Sequence, residues 1–138
     1  MNYAIIYYSH FGNGKRIVER LASKLRGDVK VLSLAEADPA ALPPADAYVF
    51  SAPAEAFSLH RGFKRFLKEL PQMDGKKYGI INTHGMKKGR LPAMEALLSK
   101  KGMLKAAELD IQVAGDYKGG SGLPAGWEER ADEFAGKM

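Results

Sequence analysis

Short apolar runs alternate with amphipathic stretches along the whole chain. Residues 3–8 read Tyr-Ala-Ile-Ile-Tyr-Tyr, an apolar, aromatic and β-branched run that predicts a strand buried on both faces, as parallel sheets require. Ser9 to Gly14 breaks it with polar and glycine residues. From about Gly14 to Leu25 a helix is expected, because Ile17, Val18, Leu21, Ala22 and Leu25 recur on one face at helical spacing. Asn13 is its expected N-cap and Gly27 its expected stop. Val29 to Leu34 reads as a second strand. Pro39, Pro43 and Pro44 make residues 35–46 a connection with at most one turn of helix.

The alternation continues. Ala47 to Ser51 predicts a third strand that ends at Pro53. Phe63, Phe66, Leu67 and Leu70 mark a helix over about residues 61–70, closed by Pro71. Tyr78 to Asn82 reads as a fourth strand, followed by a loop rich in glycine and lysine. Leu91, Met94, Leu97 and Leu98 then mark a helix with Pro92 in its first turn, ending in Lys100-Lys101-Gly102. Residues 104–114 hold a fifth strand centred on Leu109 to Val113. Residues 119–126 read as a flexible glycine-rich loop. Trp127, Ala131, Phe134 and Met138 form the stripe of a last helix. Strand and helix in alternation imply an α/β fold, a parallel sheet with helices on both faces. Right-handed crossovers make a doubly wound sheet the natural solution, in a single domain over residues 1–138. Ligands of such sheets bind outside the carboxyl ends of the strands.

Composition removes several chemistries. The absence of cysteine excludes disulfides, thiolate metal sites, iron–sulfur clusters and cysteine nucleophiles. No apolar run approaches the roughly 20 residues of a membrane span, so no membrane role is expected. Met1-Asn2-Tyr3 runs straight into an apolar strand without a signal-peptide pattern, which predicts a cytoplasmic protein. The formal charge is +5, which suits an anionic cofactor or an acidic partner. The cations are spread along the chain and read mostly as solvated helix faces and ends. No aromatic–basic motif accompanies them, so no nucleic-acid role is expected.

Three loops should meet at the carboxyl edge: residues 9–15, 52–61 and 83–90. In the first, Ser9-His10-Phe11-Gly12-Asn13-Gly14-Lys15, the two glycines can take backbone angles that other residues resist. They let main-chain N–H groups approach an anion. The helix N-terminus adds unsatisfied donors and partial positive charge, and Lys15 adds a full charge. In the second loop Phe57 either stacks on a flat heterocycle or anchors the loop to the core, while the small residues at 52, 54 and 56 leave room for a ring. His60 and Arg61 read as surface. In the third, Lys87 and Lys88 read as solvated. His10, His60 and His84 fall one in each loop. A histidine there is a candidate proton donor, but no metal-ligand spacing joins them. There is no GxSxG element, and Gly12 to Lys15 lacks full P-loop spacing.

Tyr7-Tyr8-Ser9-His10-Phe11-Gly12-Asn13-Gly14 resembles the phosphate loop of flavodoxins, whose general form is Ser/Thr-x-Thr-Gly-Asn-Thr. Phe50-Ser51-Ala52-Pro53 is similar to that family's third strand and second flavin loop, and Asn82-Thr83-His84-Gly85 to its fourth strand and third loop. The resemblance implies a five-stranded parallel sheet of order 2-1-3-4-5 and the cofactor FMN. It implies phosphate binding by Ser9, His10, Phe11, Gly12, Asn13, Gly14 and Lys15. It places Pro53, Ala54, Glu55, Ala56 and Phe57 against the flavin ring. It gives main-chain contacts at the pyrimidine edge to Thr83, His84, Gly85 and Met86. Phe11 and Gly14 stand where the family has threonines, so two phosphate-binding hydroxyls are missing. Flavodoxins are also usually acidic, whereas this chain is basic.

The leading expectation is an FMN-dependent redox protein that passes electrons to a partner protein or small acceptor, the basic charge suiting an acidic one. It names no catalytic acid or base. Two others stand beside it: a flavodoxin-like binding or regulatory module that has lost FMN, and a small NAD(P)H-dependent quinone or flavin reductase.

Overall fold

Tyr3, Ala4, Ile5 and Ile6 are almost wholly shielded from solvent, so the strand that carries them, β1 (Asn2–Tyr7), lies inside a sheet covered on both faces. The computed structural model describes every residue except 56, 57, 86, 87 and 115–121. Ala56, Phe57, Met86, Lys87 and the first part of the expected glycine-rich loop therefore lie outside the described residues.

β1 pairs in parallel with β2 (Asp28–Ser33) on one side and β3 (Ala47–Glu55) on the other. β3 pairs with β5 (Lys77–His84), and β5 with β6 (Leu104–Gln112), again in parallel. A two-residue strand, β4 (Ser58–Leu59), folds back antiparallel on the end of β3. The path β2-β1-β3-β5-β6 is the expected order 2-1-3-4-5 once β4 is set aside.

Among the described residues four helices cover the sheet: α1 (Asn13–Lys24), α2 (Arg61–Glu69), α3 (Leu91–Ser99) and α4 (Trp127–Lys137). Side chains alternate across a strand, so each face has its own core. Phe50, Tyr78 and Ile80 meet Phe63 and Leu67 of α2 and Met94 of α3 on one face. The irregular connection from β2 to β3 covers the rest of it through Leu34, Ala37 and Leu42. Ile5, Ile81 and Ile111 meet Ile17 and Leu21 of α1 and Phe134 of α4 on the other. α1 and α4 are joined at the surface, where Arg20 grips Asp132 through two hydrogen bonds of 2.9 and 2.7 Å and the Arg16 guanidinium lies 5.1 Å from the Trp127 ring centre. The Arg20 guanidinium holds the Asp132 carboxyl below its ordinary range.

Three local expectations are corrected. β3 continues through Pro53 to Glu55 instead of stopping, because Pro53 still sits in register with Thr83 of β5. α1 ends before Gly27: Leu25 turns to extended backbone. Gly27 has φ 128°, and a Cβ on it would lie 2.0 Å from the Met1 carbonyl oxygen, so its smallness serves the close approach of the chain beside β1. Asn13 is the first helical residue rather than the cap, and the cap is Gly12.

Phe50 is fully buried with its ring edge-on to Phe63. Phe50→Ala is expected to cost about 3–5 kcal/mol, and Val31→Ala on the exposed edge of β2 within about 0.5 kcal/mol. Urea denaturation measures both.

Candidate functional site

The first loop turns from β1 into α1 at Gly12, which has φ 95° in the left-handed region that favours glycine. Its N–H donates to Ser9 Oγ at 3.1 Å and closes the turn. No side chain caps α1, and no acidic residue occupies its first turn. The first amide donors of the helix, which have no carbonyl one turn back, are thus left to whatever fills the cleft. Asn13 is buried, and its Oδ1 accepts from the N–H of Gly122 at 3.1 Å, tying this loop to the segment after β6. The Phe11 ring meets the edge of the His10 ring at 4.3 Å.

The second loop is built differently from the expectation. The β3–β4 hairpin occupies it, and the His60 N–H donates to Pro53 O. His60 is half-buried rather than free on the surface. Its ring stacks on Tyr8 at 3.9 Å, and its Nδ1 accepts from Phe63 N–H at 3.1 Å as the N-cap of α2. Burial pushes the imidazole below its ordinary value of 6.5. Nearby His10 adds to the effect and Glu55 opposes it. The Tyr8 hydroxyl in turn lies 3.3 Å from His10 Nδ1.

Asn82 joins the second and third loops. It is fully buried. Its Nδ2 donates to Ala52 O at 2.9 Å and its Oδ1 accepts from Arg90 N–H at 2.7 Å. One amide therefore fixes the end of β3 to the start of α3. His84 belongs to β5 itself, not to the loop after it. Its side chain is buried, with Nε2 3.0 Å from Asp110 Oδ2 on β6.

These pieces surround one solvent-open cleft. Ser9, His10, Phe11, Asn13, Gly14, Pro53, Ala54, Glu55, Thr83, His84 and Gly85 line it, together with Val113. Gly12 shapes the turn behind it, and Lys15 is exposed at the first turn of α1. Neither lines the cleft. Among the described residues no three His, Cys, Asp or Glu side chains gather to hold a metal ion, and no helix is long and apolar enough to cross a membrane. Sequence reasoning missed Asp110, Val113 and the clamp made by Asn82. The alternation of β6 put Asp110 opposite the sheet face of Leu109 and Ile111, the one signal that could have drawn attention to it.

In doubly wound parallel sheets ligands bind at the carboxyl ends of the strands, and an uncapped helix N-terminus there suits an anion. A family model of the flavodoxin domain matches residues 4–117, and the chain belongs to that family. No curated protein matches it. Among solved structures, oxidised flavodoxin 2 from Bacillus cereus superposes with a TM-score of 0.81 at 19% identity, covering 99% of this chain and 97% of that one. The flavodoxin of Streptococcus pneumonia TIGR4 gives 0.78 at 19% identity, over 99% and 97%. Two-electron reduced flavodoxin of Megasphaera elsdenii gives 0.74 at 17% identity, over 97% and 98%. At these identities the likeness shows the fold.

Two outcomes test the site's scaffold. Asn82→Ala leaves Ala52 O and Arg90 N–H without their partner and is expected to cost about 2–4 kcal/mol, read from denaturant midpoints. His60 caps α2 only as the neutral imidazole. Because its folded value is depressed, its stabilising contribution is fully present above pH about 6.5 and is lost as pH falls through the folded value. Thermal melting at pH 7.5 and 5.0 should show a loss that is smaller in His60→Asn, which keeps a cap without the titration.

Proposed function

We propose that the protein binds FMN in this cleft and transfers electrons through the ring. The flavodoxin family generally binds FMN, and two of the structural neighbours are described in oxidised and two-electron reduced states. The observation that carries the reading is the uncapped N-terminus of α1 behind the left-handed Gly12. Its free amide donors and the positive end of the helix suit a phosphate dianion.

The residues present fit the group. Asn13 and Gly14 bring the first turn of α1 into the cleft. A Cβ at Gly14 would meet Ser51 Oγ and Ser9 Oγ at 3.6 Å, ordinary contact distances, so the loop is not crowded there. Pro53, Ala54 and Glu55 form one wall for the ring, and Thr83, His84 and Gly85 the other. Bound FMN supplies the electron-accepting chemistry. Main-chain donors at the start of α1 would hold the phosphate, and the ends of β3 and β5 would flank the ring. The partner is a redox protein or a small electron acceptor, and the net charge of +5 favours an acidic one.

Phe11 and Gly14, which lack hydroxyls, favour a second reading in which the loop holds a different ligand or none. Flavin absorbance of the purified protein and fluorescence titration with FMN separate the two, and the absence of saturable binding rejects the first. Lys15→Glu should weaken FMN binding while leaving the fold intact, since an acidic residue suits a helix first turn. Lys137→Glu, at the far end of α4, should not change it. Gly14→Ser restores a hydroxyl where a Cβ fits and should tighten binding about tenfold, the low end of one charge-assisted hydrogen bond. Equal affinities across these variants would place the phosphate elsewhere.

A further inference from the structure

We propose that His84 and Asp110 form a proton-coupling pair for this site, so that putting electrons on a ring held in the cleft is matched by uptake of a proton from water on the His84 imidazole. The inference rests on the FMN reading above and deepens it. His84 is the last residue of β5 and lines the cleft, with its side chain 2% exposed. Nε2 faces Asp110 Oδ2 at 3.0 Å. The other carboxylate oxygen, Oδ1, is buried without a hydrogen-bond partner.

The Asp110 side chain is 44% exposed as a whole, but its Oδ1 is shielded from water and unsatisfied, which is costly for a carboxylate oxygen. An imidazolium beside it offsets that cost, and a neutral imidazole does so only in part. Gly89 makes the placement possible. A Cβ there would fall 1.9 Å from Asp110 Oδ1 and 2.9 Å from His84 Cδ2, so the main chain of the third loop closes directly over the pair. The geometry thus provides a shielded imidazole that lines the cleft and is backed by one carboxylate.

The electrostatic balance sets the sign. Asp110 of β6, Glu55 at the end of β3 and electrons added to the ring all favour the protonated imidazole. His10, which lines the same cleft, Lys88 and Arg90, which flank Gly89, and Arg130 of α4, which donates to Asp110 O, oppose it. The electrons come from the reductant that reduces the ring, the proton comes from water, and no bond to the flavin is made or broken. Reoxidation returns the proton. Asp110 is a positioning residue here, since it acts on the flavin only through His84.

The test uses protein loaded with FMN. Midpoint potentials are measured from pH 5.0 to 8.5 for wild type, His84→Gln and Asp110→Asn, and the His84 ring is followed by NMR in the oxidised and reduced wild type. Wild type should show a pH-dependent segment that His84→Gln lacks and that Asp110→Asn displaces to lower pH. The His84 titration midpoint should move to higher pH on reduction. Superimposable potential–pH curves in the three proteins, or a His84 midpoint identical in both redox states, overturn the proposal. The NMR measurement needs no variant, so a substitution that prevents folding does not remove the test. A wild type that takes up no FMN overturns the site reading itself, and that outcome is distinct because it appears before any potential is measured.

Discussion

A parallel sheet covered on both faces forces its helices to begin at one edge, and each beginning brings amide donors that must find acceptors. Everything particular about this protein follows from how those four sets of donors are met. α2 is capped by the His60 imidazole. At α3, Asn82 takes up the Arg90 N–H and Pro92 removes a donor from the first turn. α4 has Glu128 and Glu129 in its first turn. α1 has neither a side-chain cap nor an acid, and its start is the one that faces the cleft. That leaves it to water or to the anion proposed for the cleft.

The same edge shows what was legible in the chain and what was not. The strands and helix stripes were readable because burial imposes periods of 2 and 3.6 on local sequence. Ile5, Ile17, Phe63 and Phe134 fell where their spacing put them. The three cleft-forming loops were legible too, because Gly, Asn and Pro mark turns locally. The partners of the polar side chains were not. Asn13 looked like a cap, yet its acceptor serves an amide 109 residues away. His60 looked like surface until Tyr8 supplied a ring to cover it. His84 carried no sign of Asp110, which lies 26 residues on and in a different strand. Such pairs depend on register between strands, and register is a property of the assembled sheet. Pro53 misled for a similar reason: parallel pairing with β5 carried the strand past a residue that usually ends one.

The cleft is also braced by contacts between its loops. Asn82 holds the second and third loops to each other. Tyr8, on the way into the first loop, lies on the cap of α2. Such bracing would suit the electron transfer proposed above, which is fastest when little has to reorganise around the changing charge. It also means that a shift in one loop is passed to the next through a buried amide instead of being absorbed by solvent.

The hydrogen bond between Asn13 and Gly122 carries a consequence for how the molecule is made. During synthesis the chain emerges from its N-terminus, so β1, α1 and the turn between them exist long before residue 122 leaves the ribosome. Until then Asn13 Oδ1 lacks the Gly122 N–H. The anchor for the opening turn arrives with the closing stretch of the polypeptide, and a nascent chain stalled before that stretch carries a half-built cradle.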